Sequence, residues 1–129
     1  MKVVKQLSIF LENKPGVLAR LCGELAEQGI NLQGISISDT VDHAVIRMLP
    51  SDPDKALAML EDAGQLVVET DVLVLPLADH PGELARLATK QAKAKVNIEY
   101  AYGTVEGGSA SLVLRVSDIK KAVKTLKSK

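Results

Sequence analysis

The chain of 129 residues has no tryptophan, only three other aromatic residues and a single cysteine, Cys22. Single-stranded nucleic acids are bound largely by stacking on aromatic side chains, so this composition argues against such a ligand. The 16 basic residues balance the 16 acidic ones, which leaves no long-range field to attract nucleic acid or an anionic membrane. A lone cysteine cannot form an internal disulfide, which is typical of proteins from a reducing cytoplasm.

Long apolar runs and catalytic motifs are also missing. The longest apolar run, residues 72–78, is too short to cross a bilayer, and charged residues interrupt any signal-peptide pattern at the N-terminus. We therefore expect a cytoplasmic protein that contacts no membrane. The sequence has no HExxH pair, no metal-spaced Cys/His cluster, no P-loop and no GxSxG, so we expect no metal, no cofactor and no catalytic residues.

What the sequence does contain is an internal repeat. Asn13–Leu21 reads NKPGVLARL, and Asp79–Leu87 reads DHPGELARL, at an offset of 66 positions (81 − 15, from proline to proline). Other identical pairs occur at the same offset without a gap: Asn31 and Asn97, Ala44 and Ala110, Ser51 and Ser117, Asp52 and Asp118, and Leu60 and Leu126. The chain is therefore a duplicated module.

Each copy follows one pattern of predicted elements. In the first copy apolar residues alternate up to residue 11, the turn Asn13–Gly16 follows, and apolar residues then recur every three or four positions from Val17 to Leu25. This pattern predicts a strand followed by a helix. Two strands come next, then a helix capped by Ser51 or Asp52, then a last strand. The order predicts an α+β fold with two ferredoxin-like βαββαβ modules side by side, each an antiparallel sheet with both helices on one face.

We place the first module at residues 1–70 and the second at residues 71–129. No Gly/Pro/Ser linker occurs between residues 66 and 77, so a nearly continuous strand is expected to join the copies. The sequence ends before the fourth strand of the second copy. Residues 1–4, which align with residues 67–70, or a partner subunit are the candidates to supply that strand, because an unpaired sheet edge promotes aggregation.

A module that continues from its first strand into Asn-x-Pro-Gly-Val-Leu-Ala-Arg-Leu, and later into Gly-Ile-Asn-Leu, resembles the ACT domain. ACT domains are small regulatory modules that commonly bind amino acids. Gln6–Asn13 (QLSIFLEN) and Asn97–Tyr100 (NIEY) are similar to segments of stand-alone proteins that carry two ACT domains. The resemblance implies a non-catalytic sensor whose ligands lie where two modules meet, against the first strand–helix loop.

The loop chemistry agrees with that expectation. The first-turn N–H groups of a helix have no internal partner, and the positive end of the helix dipole favours a carboxylate. Glycine at position 16 or 82 lets a ligand approach the backbone. The predicted ligand-binding residues are Leu11, Asn13, Pro15, Gly16, Val17, Asn31, Asp79, Gly82 and Asn97. Glu83 would repel a carboxylate in the second copy, so the first copy is favoured. The asparagines and Asp79 are equally compatible with a purely structural role in turns.

Leu11 stands where serine-binding members of the family carry a histidine, which argues against serine and favours an uncharged or apolar amino acid. We expect a homodimer, because helices would cover only one face of the sheet. The expected role is regulation in trans of a metabolic enzyme or a transporter. An alternative is a structural or regulatory subunit that binds no ligand. A small enzyme is disfavoured, since neither His43 nor His80 has a reliably placed catalytic partner.

Overall fold

The computed structural model describes residues 1–39, 43–78, 80–106 and 109–127, which contain six strands and four helices in the predicted order. The elements are β1 (Lys2–Glu12), α1 (Val17–Glu27), β2 (Leu32–Asp39), β3 (His43–Pro50), α2 (Pro53–Asp62), β4 (Val67–Ala78), α3 (Glu83–Lys93), β5 (Ile98–Glu106), β6 (Ser109–Val116) and α4 (Ile119–Lys127). Strand β4 runs without interruption through the predicted joint, which confirms that no linker separates the copies. No helix in the described ranges is long and apolar enough to cross a membrane.

The chain divides into two compact units. Lys5–Thr70 forms the first unit, and Asp71–Lys129 forms the second unit together with Met1–Val4. The strand order is β2-β3-β1-β4 in the first unit and β1-β4-β6-β5 in the second. The eight strand segments expected from two copies therefore correspond to six described strands, because β1 and β4 are each long enough to serve both units. The α+β, duplicated βαββαβ fold is as predicted.

The core of the first unit lies between its sheet and its two helices. Leu7 pairs with Met48 and Ile9 with Ile46 across β1 and β3, and all four side chains are buried on one face of the sheet. Because strand side chains alternate between faces, this register points every second residue of β1 towards the helices. The helices contribute the buried side chains Leu21, Leu25, Ala56 and Leu60 to the same cluster.

The second unit repeats this arrangement with one difference. Leu73 pairs with Leu114 and Leu75 with Leu112, and these side chains pack with residues of α3 and α4 such as Leu87 and Ala122. Helix α3 also buries Gln91 completely. The sequence places leucine at the equivalent position of the first copy. A polar group has thus replaced a core leucine in the second unit.

The four helices begin in two different ways. Asp52 and Asp118 accept hydrogen bonds from the backbone N–H three residues later, at 3.1 and 3.0 Å, and so cap α2 and α4. Helices α1 and α3 instead follow Gly16 and Gly82, whose φ angles of 88° and 92° are left-handed, and no side chain caps these two helices. Glycine is suited to both positions because it has no Cβ to clash there. The uncapped helix starts thus fall at the first strand–helix loop of each copy.

Candidate functional site

The first strand–helix loop of the first unit lies at the end of a row of residues that crosses the sheet. Leu11 of β1 pairs with Ala44 of β3, and Ala44 pairs with Asp39 of β2. The Asn13 amide donates a hydrogen bond to an Asp39 carboxylate oxygen, at 2.7 Å. This bond ties the loop to the end of β2 and brings an amide oxygen and a carboxylate to the same end of the sheet.

An open groove of about 580 Å³ lies along this loop and the start of α1. This volume falls within the roughly 300–1,000 Å³ typical of small-molecule sites. The groove is lined by Phe10, Leu11, Glu12, Lys14, Pro15, Gly16, Val17, Arg20, His43 and Gln65. Its walls therefore combine apolar side chains with a cationic helix start.

Few groups of the protein itself bind the N–H groups at the start of α1, so an anion from solution can bind them. The first turn of α1 contains no acidic residue, and no side chain caps it. The Val17 N–H donates only a long bond of 3.4 Å to the Lys14 carbonyl oxygen. Because the N-terminal end of a helix carries a partial positive charge, this end of the groove favours a carboxylate.

Two cations of the groove differ in how they are paired. The Lys14 ammonium lies 2.9 Å from a carboxylate oxygen of Glu12. The hydrogen bond from Lys14, helped by its charge, lowers the pKa of the Glu12 carboxyl below its ordinary value. The Arg20 guanidinium makes no hydrogen bond or ion pair with any residue in the ranges that the structure covers. Arg20 is therefore the cation in the groove whose charge no described residue neutralises.

The equivalent turn of the second unit is different. Glu83 is the first residue of α3, and its two carboxylate oxygens accept hydrogen bonds from the Arg86 guanidinium at 2.6 and 3.1 Å. The hydrogen bond from Arg86 holds the pKa of the Glu83 carboxyl below its ordinary value, and the same bond raises the pKa of Arg86. Asp79, which was predicted to bind ligand in this turn together with Gly82, lies outside the described residues.

The structure brings only some of the predicted residues together. Leu11, Pro15, Gly16 and Val17 all line the groove, and Asn13 lies beside it through its bond to Asp39.

The other two predicted asparagines lie elsewhere. Asn31 follows the opposite end of α1, an 11-residue helix that spans roughly 16 Å, and its backbone N–H donates to the Ser51 hydroxyl at 2.9 Å. Asn97 makes the same bond to Ser117 in the second unit, also at 2.9 Å. Within one unit both asparagines therefore act at a helix–strand turn, distant from the glycine turn.

Several groove residues are absent from the sequence prediction. Arg20 is not among the predicted ligand-binding residues, although it lies one turn after Gly16 and recurs in the second copy. His43 is exposed and lines the groove, because it pairs with Glu12 across the strands. Asp39 binds the Asn13 amide beside the groove, and the strand pairing brings it there. The recurrence of Arg20 in the second copy was a signal in the sequence. The positions of His43 and Asp39 follow only from the register of the sheet.

No group of three or more His, Cys, Asp or Glu residues that could hold a metal ion occurs in the part of the chain that the structure describes. The titratable residues at the groove are a paired glutamate, a paired lysine, an arginine and a histidine. This set is suited to binding a charged small molecule through ion pairs and hydrogen bonds.

Comparison with known proteins identifies the class. Two ferredoxin-like units, each with a glycine turn at its first strand–helix loop, match the model of the ACT domain pair over residues 1–128. The chain belongs to this family. Comparison with curated proteins gives no match.

Solved structures agree with this assignment. A protein from Bacteroides thetaiotaomicron is 39% identical, with a TM-score of 0.92, over 97% of this chain and 87% of that one. The regulatory subunit of aspartate kinase from Thermus thermophilus, in a ligand-free form, is 17% identical, with a TM-score of 0.71, over 98% and 95% of the two chains. The corresponding subunit from Thermus flavus is 18% identical, with a TM-score of 0.68 and the same coverage. Because the sequence identity is so low, the comparison with the two kinase subunits shows a shared fold and nothing more.

Proposed function

We propose that this protein is a non-catalytic, amino-acid-binding regulator. The observation that carries the proposal is the groove at Gly16, where an uncapped helix start and the unneutralised Arg20 face apolar walls. Membership of the ACT domain pair family supports a regulatory, ligand-binding role.

The groove chemistry suits a free amino acid with an uncharged or apolar side chain. The ligand carboxylate would accept from backbone N–H groups at Gly16 and Val17. Its ammonium group would lie towards the Asn13 amide oxygen and the Asp39 carboxylate, which are held together at one end of the sheet. Its side chain would contact Leu11 and the other apolar lining residues, which offer no hydrogen-bond partner for a polar group.

A second copy of the chain is part of the proposal. Strand β2 is the edge strand of the first unit, and its Ile35 and Ile37 are 43% and 51% exposed. The equivalent positions of the second copy are Ala101 and Gly103. An exposed edge strand with large β-branched side chains is a ready site for strand pairing. In a homodimer, Asn31 at the start of β2 would face a groove from the other copy.

The regulated partner would be a metabolic enzyme or a transporter in the cytoplasm. Ligand binding and self-association would be linked if the site is completed by a second copy, so each would strengthen the other by the same factor. The alternative is a structural or regulatory subunit of an enzyme complex that binds no ligand. The exposed edge strand β2 supports this alternative, which assigns no role to the groove.

A thermal-shift screen against the twenty amino acids separates these functions. We expect an uncharged or apolar amino acid to raise the melting temperature, because a ligand that binds only the folded state stabilises it. If none of the twenty amino acids stabilises the protein at millimolar concentration, the alternative function, a subunit that binds no ligand, is the better explanation. Turnover of an amino acid by the purified protein would contradict the non-catalytic role.

Calorimetry on two matched variants then locates the site. Gly16→Val should abolish binding, because a left-handed φ is strained for a β-branched residue and the turn must move. Gly82→Val imposes the same strain in the second unit and should leave binding intact. Asn13→Ala should cost about 1–3 kcal/mol of binding free energy if its amide contacts the ligand.

Sedimentation at micromolar concentration tests the homodimer. Ile35→Lys with Ile37→Lys should give monomers, because charge on an edge strand opposes pairing. A wild-type protein that sediments as a monomer at high micromolar concentration, with and without amino acid, would exclude the dimer.

A further inference from the structure

The two copies differ at one position of an otherwise repeated turn. Val17 is the first residue of α1, and Glu83 is the first residue of α3, at the same place in the repeat. Each helix carries an arginine three residues later. In the second unit that arginine, Arg86, is held by Glu83 through two hydrogen bonds. In the first unit the Val17 side chain offers no acceptor. Arg20 is exposed and lines the groove, and its guanidinium has no partner among the described residues.

We propose that Arg20 binds the ligand's carboxylate in the first unit, and that Glu83 takes the place of such a carboxylate in the second. The chain then binds one amino acid, in its first unit only. This inference rests on the proposed function and adds to it the anion-binding side chain and the stoichiometry. In the second unit the arginine is already occupied by the ion pair with Glu83.

The geometry of the pair in the second unit supports this assignment. An arginine and a carboxylate form their strongest contact when two N–H donors meet two oxygens, and Glu83 provides that arrangement to Arg86. A free amino acid presents the same group, a carboxylate with two oxygens. Since the repeat places Arg20 and Arg86 equivalently, a carboxylate that enters the first groove can accept from Arg20 as Glu83 accepts from Arg86.

A second difference between the copies points the same way. The residue equivalent to Asp39 in the second copy is Val105. The first copy therefore has a carboxylate available for an ammonium group at this strand position, and the second copy has none. A zwitterion meets a cation and an anion in the first unit, whereas at the equivalent positions of the second copy the arginine is paired with Glu83 and the strand residue is Val105.

The test exchanges the two residues that distinguish the copies. The probes are the twenty free L-amino acids, added singly at millimolar concentration to the full-length protein, and the carboxamide of each one that binds. Calorimetry gives stoichiometry and affinity for the wild type, Arg20→Gln, Arg86→Gln, Glu83→Val and Val17→Glu. Thermal unfolding of each variant verifies that it is folded. If Glu83→Val does not fold, Glu83→Gln replaces it in the test.

We expect one amino acid per wild-type chain and no binding of its carboxamide. Arg20→Gln should weaken binding by roughly 10- to 100-fold, the loss expected for a hydrogen bond to a charged group. Arg86→Gln should leave the affinity unchanged. Val17→Glu should abolish binding, because it recreates the internal ion pair. Glu83→Val should release Arg86 and raise the stoichiometry towards two.

The outcomes separate this inference from the proposed function. If the wild type binds an amino acid but Arg20→Gln binds it equally well, or if two molecules bind per chain, the inference is wrong and the sensor function stands. Equal affinity for an amino acid and its carboxamide also overturns the role of Arg20. If no amino acid binds to the wild type, the proposed function fails and the inference fails with it.

Discussion

A single residue distinguishes the core of the second unit from that of the first. Gln91 is fully buried in the core of the second unit, and neither its amide nitrogen nor its amide oxygen has a partner among the described residues. Leu25 fills the equivalent position in the first unit and packs in the apolar cluster there. A buried polar group without a partner destabilises a fold by about 1–3 kcal/mol. The second unit therefore carries a cost that the first does not.

Gln91→Leu should raise the free energy of unfolding by about 1–3 kcal/mol, because it removes an unpartnered amide and keeps the side-chain volume close to that of leucine. Urea unfolding with an unchanged slope measures the effect. Leu25→Gln is the matched control and should destabilise the first unit. A Gln91→Leu protein that is less stable than the wild type would mean that the amide is hydrogen-bonded in solution.

The Glu83–Arg86 pair predicts a pH dependence. The folded protein holds the Glu83 pKa below its ordinary value of 4.5. The stabilisation is therefore fully present above the ordinary pKa and is lost as the pH falls through the lowered one. The melting temperature of Glu83→Gln should lie below that of the wild type at neutral pH, and the difference should shrink below pH 4.5. A difference that is constant from neutral to acid pH would contradict this pairing.

At the scale of elements, the ends of the first helix of each copy differ. Helix α1 ends at Glu27, and Gly29 follows in the left-handed region with a φ of 73°. The second copy places Lys95 at the equivalent position, with a φ of 62°, and it is the one non-glycine residue with positive φ in the described ranges. Because a residue with a Cβ is strained in that region, α3 ends less favourably than α1.

Lys95→Gly should stabilise the protein by about 1 kcal/mol, because glycine adopts the left-handed conformation without strain. The reciprocal change Gly29→Lys should destabilise it by a similar amount. Thermal unfolding of both variants measures the two effects. If Lys95→Gly lowers the melting temperature, the flexibility that glycine gives the unfolded chain outweighs the relief of strain.

At the scale of the whole molecule, two long strands link the units. Met1–Val4 group with Asp71–Lys129, although the rest of β1 belongs to the first unit. Met1 lines one pocket of the second unit together with Leu75 and Leu77. Residues 1–4 are therefore part of the second unit.

Removal of residues 1–4, with a new initiating methionine, should destabilise the second unit more than the first. The reason is that β4 would lose its neighbouring strand and expose its edge in that unit. Hydrogen exchange followed by mass spectrometry gives protection for each unit, and the amides of β3 in the first unit are the internal control. Equal protection of both units after the deletion would assign the missing strand to another subunit.

The sequence alone determined the local structure of this protein and its repetition. The alternation in the strands and the glycine turns before α1 and α3 are patterns within a few neighbouring residues, and the 66-residue offset is read by comparing the sequence with itself. Together they predicted the duplicated fold. Aspartate at position 52 was one of two predicted caps for α2, and the structure selects it, since Ser51 accepts from Asn31 instead.

The tertiary structure decided which of these residues meet. Strand register brings His43 to the groove and Asp39 to the Asn13 amide, and Asn31 lies a helix length away from Gly16. Such contacts depend on the distances between elements, and no pattern within a short segment records those distances.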